Sequence, residues 1–478
     1  MNELEMNQVA PAVQAAPPTL DPAVWKIAGV VLLGPLMTSL DATVVNVSLS
    51  TLSHELRAPL TTIQWVTSGY LLALSLILPL SGWLVDRIGA KRVYLGCFTA
   101  FTLTSMLCGL ATSAEALITF RVLQGMAGGL IAPMAQMVIA RVAGRQVARV
   151  MGFMVMPVLI GPILGPVVAG AILQSAGWPW IFFINLPIGV LATVLAFWLL
   201  PKDDDAAYPR TFDLKGFLLL SPGLVLLLHS LESLGSNPGT ARFSEMELLV
   251  SLGFLAAFAL HATRRGPLAL IDVQLFRDRT FSAAAATQFL SNAVAFGGQM
   301  LLPLYLLMAR NASPGSAGWL LAPAGLGMLL SYPMMGTLTE RFGPRKVSSS
   351  GALLALMGTL PFALFGALGL PASTVSISLF VRGLGLGAIN LPSIASAYAS
   401  IPKQTIPVAT TALNIVQRLG GPVATTLLAI FLHARLGVSP TDNKHAFAAT
   451  FWLLCGLHAL SLLAALRLPL HTEEKNRI

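Results

Sequence analysis

One short amphipathic segment occurs twice in this chain, each time between two long apolar stretches. The copies read Gly82-Trp-Leu-Val-Asp-Arg-Ile-Gly-Ala-Lys-Arg92 and Gly336-Thr-Leu-Thr-Glu-Arg-Phe-Gly-Pro-Arg-Lys346. In each copy a charged turn containing glycine follows one apolar stretch and precedes the next. An internal duplication of this kind is typical of transporters built from structural repeats. The sequence therefore predicts a membrane carrier with two related halves.

The apolar stretches are long enough to be membrane-spanning helices. Hydrophobic residues make up 55% of the chain and charged residues only 10%, which is too apolar for a soluble protein of 478 residues. A helix needs about 20 apolar residues to cross the hydrocarbon core. Fourteen such spans are predicted, at residues 27–50, 62–82, 93–111, 115–138, 149–173, 180–200, 214–234, 246–263, 281–308, 315–338, 347–369, 373–399, 407–432 and 448–468.

The positive charges indicate how these spans are oriented. A net charge of +9 could indicate nucleic-acid binding, but the 29 Lys and Arg residues cluster in alternate turns. The predicted outside carries five of them, Arg57, Arg242, Arg310, Arg435 and Lys444, and three more lie within spans. The other 21 lie on the predicted inside, as the positive-inside rule requires. We therefore expect a multi-pass protein of the bacterial inner membrane with both termini in the cytoplasm. Its expected partner is the lipid bilayer, and we expect no nucleic acid to bind.

The duplication also predicts the domain organisation of an all-α polytopic protein. Two six-helix bundles are separated by two additional helices within the most polar part of the chain. The predicted boundaries are a disordered cytoplasmic tail at 1–25, the first bundle at 26–200, the linker with the extra helices at 201–279, the second bundle at 280–468 and a cytoplasmic tail at 469–478.

Five motifs in order carry a resemblance to a known family. They are Leu40-Asp-Ala-Thr-Val-Val-Asn-Val47, the Gly82–Arg92 turn, Arg121 with Gln124 and Gly125, Ile160-Gly-Pro-Ile-Leu-Gly-Pro-Val-Val-Ala-Gly170, and Trp180-Ile-Phe-Phe-Ile-Asn-Leu-Pro-Ile-Gly189. The chain resembles the major facilitator superfamily, and within it the fourteen-helix drug:proton antiporter branch of multidrug efflux type. The resemblance covers nearly the whole chain and implies the major facilitator fold.

Asp41 and Arg121 are the candidate proton-coupling residues. A carboxylate near mid-membrane costs about 2.5–3.5 kcal/mol on insertion scales, so a use or a partner is expected for it. Apolar surroundings disfavour a charged carboxylate and a nearby arginine favours it, so the same acid can load or release a proton as its surroundings change. The resemblance implies that Arg121 takes part in this coupling. The alternative is a permanent ion pair that only holds two helices together.

The duplicated turn is a candidate conformational latch that would bias the equilibrium between two states of the carrier. The alternative is an ordinary solvated turn. The residues assigned to the latch are Gly82, Asp86, Arg87, Gly89, Arg92, Glu340 and Arg341.

The small residues of the predicted fifth span allow another helix to approach closely. The resemblance implies that they form the antiporter motif, whereas helix packing alone explains them equally well. They are Gly161, Pro162, Gly165, Pro166 and Gly170.

Substrate-binding candidates are polar residues within the predicted spans, since drug sites combine apolar walls with a few polar groups. Each could instead form a hydrogen bond between helices. The candidates are Thr38, Asn46, Gln64, Tyr70, Gln124, Asn292, Gln299, Tyr305, Asn390, Asn414 and Arg418. Arg418 could contact an acidic substrate group or neutralise Glu232.

Together these features predict a proton-coupled exporter of amphipathic drugs or toxic small molecules, working by alternating access. No phosphate-binding loop and no metal-ligand or nucleophile constellation is found in the sequence, so we expect neither an enzyme nor a cofactor, with the proton gradient as energy source. We expect a monomer, and leave open an adaptor or outer-membrane conduit. The alternatives are a proton-coupled carrier of one metabolite and a non-transporting membrane partner or sensor.

Overall fold

The computed structural model describes residues 22–143, 146–202, 211–236, 241–438 and 443–471. Long helices lie at all fourteen positions where the sequence predicts a span. They are α1 (Pro22–Glu55), α2 (Leu60–Ile88), α3 (Ala90–Gly109), α4 (Ala114–Ala143), α5 (Val147–Ser175), α6 (Trp180–Leu199), α7 (Leu214–Ser236), α8 (Ala241–Arg265), α9 (Arg279–Ala309), α10 (Pro314–Phe342), α11 (Pro344–Phe365), α12 (Ala372–Ala399), α13 (Ile406–Val438) and α14 (Asn443–Ala465).

Length and hydropathy qualify 11 of the helices in the described part of the chain as membrane spans. The helices α3, α5 and α10 occupy the other three predicted positions, and for these the spanning assignment stays a prediction. The predicted amino-terminal tail extends to residue 25, whereas α1 already begins at Pro22. Residues 1–21 and 472–478 lie outside the described residues.

The duplicated segment forms two tight turns of the same geometry. Gly89 separates α2 from α3 with φ of 92°, and Gly343 separates α10 from α11 with φ of 82°. Positive φ is disfavoured for residues with a Cβ atom, which is why both copies of the segment have glycine at this position. We call the side of the molecule that carries both turns the Gly89 face.

The helix contacts repeat with an offset of eight helices. In the first half α1 packs on α5, α2 on α4, and α3 on α4 and α6; in the second half α9 packs on α13, α10 on α12, and α11 on α12 and α14. The two halves are therefore two bundles of six helices with the same internal arrangement. They meet through α2 with α13 and α5 with α10, which are again equivalent pairs.

The two additional helices lie beside the seam between the bundles. Helix α7 packs on α8, on α2 of the first bundle and on α13 of the second. Thr426 of α13 donates a hydrogen bond of 2.7 Å to the carbonyl of Leu231 in α7. By contrast, most of α8 is exposed on the outside of the molecule.

The bundles are joined at the Gly89 face. Ser81 Oγ lies 2.6 Å from Thr411 Oγ1, and Asn414 Nδ2 donates to Gln136 Oε1 at 2.8 Å. The structure is therefore closed on this face, with α2 and α4 of the first bundle bound to the first turns of α13.

Candidate functional site

Asp41 lies in the interior of the first bundle, where it binds three side chains. Its Oδ2 accepts a hydrogen bond of 2.6 Å from Arg121, and its Oδ1 accepts bonds from Asn185 at 2.8 Å and Gln124 at 3.4 Å. The Asp41 and Arg121 side chains are 0% and 1% exposed. A buried charge is stable only when it is paired and hydrogen-bonded. In this cluster the carboxylate of Asp41 and the guanidinium of Arg121 neutralise each other, and both are hydrogen-bonded.

Arg121 is also held by α2. Its Nε donates to the carbonyl of Val66 at 3.2 Å, and its guanidinium lies over the Tyr70 ring, 4.1 Å from the ring centroid. Gln124 accepts a further bond of 2.8 Å from Arg121. The hydrogen bonds and the cation–π contact fix the guanidinium between α1 and α2, so a shift of either helix would move it relative to Asp41.

Asn185 and Ser105 complete the cluster, and neither was predicted from the sequence as a member of it. Asn185 of α6 donates to Asp41 and to Ser105, 3.0 Å away, and Ser105 of α3 donates to the carbonyl of Phe182 at 2.9 Å. Asn185 belongs to one of the five motifs, and an amide in an otherwise apolar helix needs a buried partner. That signal could have identified it, but spacing alone does not show which acid it meets.

We expect Asn185→Ala to weaken the fold and slow transport. The substitution removes a hydrogen bond to a charged group, worth about 1.5–3 kcal/mol, and leaves the Asp41 oxygen undersatisfied. The melting temperature of the purified protein and the transport rate in vesicles should both fall. The control is Gln174→Ala, which removes an exposed amide at the end of α5. Equal behaviour of the two variants would contradict a role for Asn185 in the cluster.

The second bundle has no counterpart of this ion pair within the described residues. Arg382 is 3% exposed and donates to the carbonyl of Val294 at 2.6 Å, and no described carboxylate forms an ion pair with it. Gly298 of α9 makes room for its guanidinium, since a Cβ atom there would collide with it. Both bundles thus bury an arginine at the equivalent position, and among the described residues only the first bundle supplies an acid for it.

The residues of the predicted latch lie where the bundles meet or beside the two turns. A Cβ atom on Gly82 would press on the Pro407 carbonyl of α13, and one on Gly336 would collide with the backbone of Arg149 in α5. Asp86 is half-buried, while Arg87, Arg92, Glu340 and Arg341 are exposed. Glycine at both positions therefore permits a close approach between bundles in this closed state.

The small residues of α5 pack against α1. A Cβ atom on Gly161 would collide with Ser39, and one on Gly165 with Thr43, both on the helix that carries Asp41. Gly170 has no neighbour within 4 Å and Pro166 is exposed. The side chain of Pro162 lies outside the described part of the structure. The first two glycines thus bring α5 against the segment of α1 that positions Asp41.

The substrate-binding candidates have different environments. The half-buried ones are Thr38, Asn292, Asn390 and Arg418, the exposed ones are Asn46, Gln64 and Gln299, and the buried ones are Tyr70, Gln124, Tyr305 and Asn414. Gln124 belongs to the Asp41 cluster and Asn414 to the interbundle contact. Asn46 accepts a hydrogen bond of 3.0 Å from Thr67.

Tyr305 packs inside the second bundle. Its ring lies 5.4 to 5.9 Å from the rings of Phe362, Phe447 and Phe451, and its hydroxyl donates to the carbonyl of Gly366 at 3.1 Å. Tyr305 therefore belongs to the aromatic core of the second bundle.

A second polar cluster, which the sequence motifs do not predict, forms around Asp213 before α7. The buried carboxylate accepts hydrogen bonds from the backbone amides of Gly216 at 3.0 Å and Leu270 at 2.9 Å, and lies 2.9 Å from His261 and 3.2 Å from Arg265. Burial raises the pKa of Asp213, but the bonds from His261 and the two amides outweigh it, so the pKa lies below the usual value. The cluster ties α7, α8 and the segment after α8 together.

We expect Asp213→Asn to lower the melting temperature at neutral pH, by losing charge-assisted bonds worth about 1.5–3 kcal/mol. A depressed pKa means that the carboxylate stabilises the fold above its unfolded pKa of about 4. That contribution disappears as pH falls through the lower folded value. The difference from wild type should therefore be full at pH 7 and shrink below about pH 4. Glu245→Gln, an exposed acid of α8, is the control and should show no such difference.

The repeated bundles, the closed interbundle face and the buried acid–arginine pair define a membrane carrier of the two-bundle, alternating-access class. The model of the Major Facilitator Superfamily matches residues 31–307 and 284–478. A multidrug resistance protein B homolog of Mycobacterium tuberculosis (strain ATCC 25618 / H37Rv) is 35% identical over 424 residues, which cover 87% of this chain and 77% of that protein. This chain belongs to the major facilitator superfamily.

Further similarities agree with this assignment. The putative multidrug resistance protein MdtD of Salmonella heidelberg (strain SL476) is 29% identical over 459 residues, covering 94% of this chain and 96% of that protein. Among solved structures, the proton:xylose symporter XylE superimposes with a TM-score of 0.63 over 92% of this chain and 94% of that chain, at 16% identity. That similarity concerns the fold alone. The all-α fold and the family predicted from the motifs are confirmed.

Proposed function

We propose that this chain is a proton-coupled exporter of amphipathic small molecules across the bacterial inner membrane. The Asp41–Arg121 pair is the observation that carries the proposal, because an acid and a cation buried in the same membrane bundle are costly and mark proton relays in transporters. The names of the relatives, both multidrug resistance proteins, support drugs or toxic compounds as substrates. The chain moves its substrate unchanged. The proton gradient supplies the energy, and the transport uses no cofactor.

Release of Arg121 would allow a proton to bind Asp41. Arg121 is anchored to α2 through Val66 and Tyr70, and α2 also ends in the Gly89 turn and contacts α13. If α2 shifts within the first bundle as its contact with α13 opens, the guanidinium would move relative to the carboxylate of Asp41. When the pair separates, the apolar surroundings favour protonated Asp41, and when it closes, Arg121 expels the proton.

The Gly89 face is the cytoplasmic face in this proposal. The basic residues near the turns, among them Arg87, Lys91, Arg92, Arg341 and Arg345, follow the positive-inside rule. Both termini are then cytoplasmic, and the structure corresponds to the state closed toward the cytoplasm. The latch residues hold this state through the close approach at Gly82 and Gly336. The protein acts as a monomer, and an outer-membrane conduit is not required for transport across the inner membrane.

The test is transport by purified protein in vesicles with an imposed pH gradient. A panel of chemically unrelated amphipathic dyes and drugs should move in the direction opposite to protons, and collapse of the gradient by a protonophore should stop that movement. Movement of a single metabolite only would favour a specific carrier. Movement that ignores the gradient and requires ATP would contradict the proposal.

A further inference from the structure

A cavity of about 220 Å³ opens at the end of the second bundle that lies opposite the Gly89 face. The helices α10 and α11 meet at Gly343 on the Gly89 face, so their other ends lie on the opposite side of the molecule. The cavity lies there, between the connection from α9 to α10, the connection from α11 to α12 and the first turn of α14. Its lining consists of Ala309, Arg310, Asn311, Gly366, Gly369 and Lys444.

A wide turn at the end of α9 shapes one wall of the cavity. The last turn of this helix, Tyr305–Ala309, is a π-helix, and the amide of Arg310 donates to the carbonyl of Tyr305 at 3.2 Å. Turns of this kind occur frequently at functional sites. The Tyr305 hydroxyl donates to the carbonyl of Gly366 at 3.1 Å and so ties the turn to the end of α11. Hydrogen bonds therefore hold the two connections that form the walls.

The lining residues include two cations and no acid. Arg310 is half-buried, and its Nη1 is enclosed without a hydrogen-bond partner among the described residues. Lys444 is exposed in the first turn of α14, where the backbone amides of the helix start add positive potential. Neither side chain forms an ion pair within the described part of the chain. Because an enclosed donor without a partner is costly, an anion that accepts from Arg310 would stabilise this arrangement.

The size of the cavity limits what it can hold. Drug-sized molecules occupy pockets of about 300–1,000 Å³, so this smaller cavity suits a polar group such as a phosphate better than a whole amphipathic drug. One side of the cavity is open at Gly369, where no atom lies within 4 Å of a Cβ position. An anionic group carried by a larger molecule outside the bundle can therefore enter.

Exposed apolar side chains flank the cavity. Leu368 is 80% exposed, and Phe365 and Met308 are also exposed. Each of the three is next in the chain to a lining residue. Apolar surface beside cations at the end of a spanning helix matches a phospholipid, whose acyl chains contact the apolar side chains while its headgroup meets the cations. A free phosphate ion would gain nothing from the apolar side chains, so the surroundings favour the lipid.

We propose that Arg310 and Lys444 bind the phosphate of an anionic phospholipid such as phosphatidylglycerol, with its acyl chains against Leu368 and Phe365. The forked guanidinium donates two bonds to the phosphate oxygens, and the ammonium adds the second charge. A zwitterionic lipid brings its own cation, which repels the cations of the cavity. The site belongs to the second bundle and is separate from Asp41, so it does not depend on the proposed proton coupling.

The test is native mass spectrometry of the purified full-length protein, titrated with phosphatidylglycerol and separately with phosphatidylcholine of the same acyl chains. We expect Lys444→Gln and Arg310→Gln each to raise the Kd for phosphatidylglycerol about 5-fold, the effect of one cation facing an anionic headgroup. The Kd for phosphatidylcholine should stay unchanged. Lys444 is exposed, so its variant reports on binding even if Arg310→Gln weakens the fold. The control is Arg435→Gln, which removes an exposed cation from the end of α13 on the same side of the molecule.

Three results would overturn the inference: equal affinity of the wild type for the two lipids, unchanged affinity for phosphatidylglycerol in Lys444→Gln, or an equal loss in Arg435→Gln. Inorganic phosphate in excess should leave the lipid bound, since it lacks acyl chains. Displacement of the lipid would identify a site for free anions and exclude the lipid. Asp41→Asn should bind phosphatidylglycerol like the wild type, so failure of the export function would not affect this result.

Discussion

Asp41→Asn is expected to abolish proton-driven transport while leaving a folded protein. Asparagine has nearly the same shape and can keep the hydrogen bonds from Asn185 and Gln124, but it cannot ionise. Transport driven by an imposed pH gradient should fall to the level of protein-free vesicles. Binding of substrate, measured on the purified variant, should persist, because the carboxylate is enclosed in the first bundle.

The control for this experiment concerns the positive charge of Arg121, which Asp41→Asn leaves without its partner. Asp41→Asn leaves Arg121 buried without a counter-ion, and breaking a buried pair in this way costs about 3–5 kcal/mol. The double variant Asp41→Asn/Arg121→Gln removes both charges and should recover melting temperature but not proton-driven transport. A double variant that regains transport would show that Asp41 only balances a charge. Wild-type transport in Asp41→Asn would identify the pair as structural, or the chain as a non-transporting protein.

Gly336→Leu is expected to prevent closure of the Gly89 face. The new side chain would collide with the Arg149 backbone of α5, which cannot move aside as a flexible side chain could. Overpacking of this kind costs about 1–3 kcal/mol. Because the collision occurs only in the closed state, the population of that state should fall about 5–150-fold.

Cross-linking would measure that population. Ser81→Cys and Thr411→Cys place two thiols where the bundles touch, since the native oxygens are 2.6 Å apart. Disulfide formation between them should be fast in the parent protein and at least several-fold slower with Gly336→Leu. Gly318→Leu on the same helix is the matched control, because no atom lies within 4 Å of a Cβ there. Equal cross-linking in both leucine variants would exclude Gly336 from the closing contact.

The sequence predicts the helices and the central ion pair for a common reason. Hydropathy over about 20 residues is a local property, and a membrane leaves a long apolar segment few alternatives to a helix. Asp41 and Arg121 stand out because charged residues are rare in such segments. The turns at Gly89 and Gly343 follow from the duplicated segment and from the backbone freedom of glycine.

The partners of these residues could not be predicted in the same way. Asn185 is 144 positions from Asp41 in the chain, and only the packing of α6 against α1 brings the two together. Tyr305 and Tyr70 have similar surroundings in the sequence, yet the first lies in an aromatic core and the second under Arg121. Neutral polar residues give no signal of the face on which their helix meets a neighbour.

The sequence by itself determined that this chain is a helical carrier of the major facilitator superfamily with one acid and one arginine at its centre. The tertiary structure alone decided that Asn185 and Ser105 complete that cluster and that Gly82 and Gly336 permit the close approach on one face. The physical reason is that the cost of placing a residue in lipid depends on its own chemistry, whereas its partners depend on which helix faces pack together.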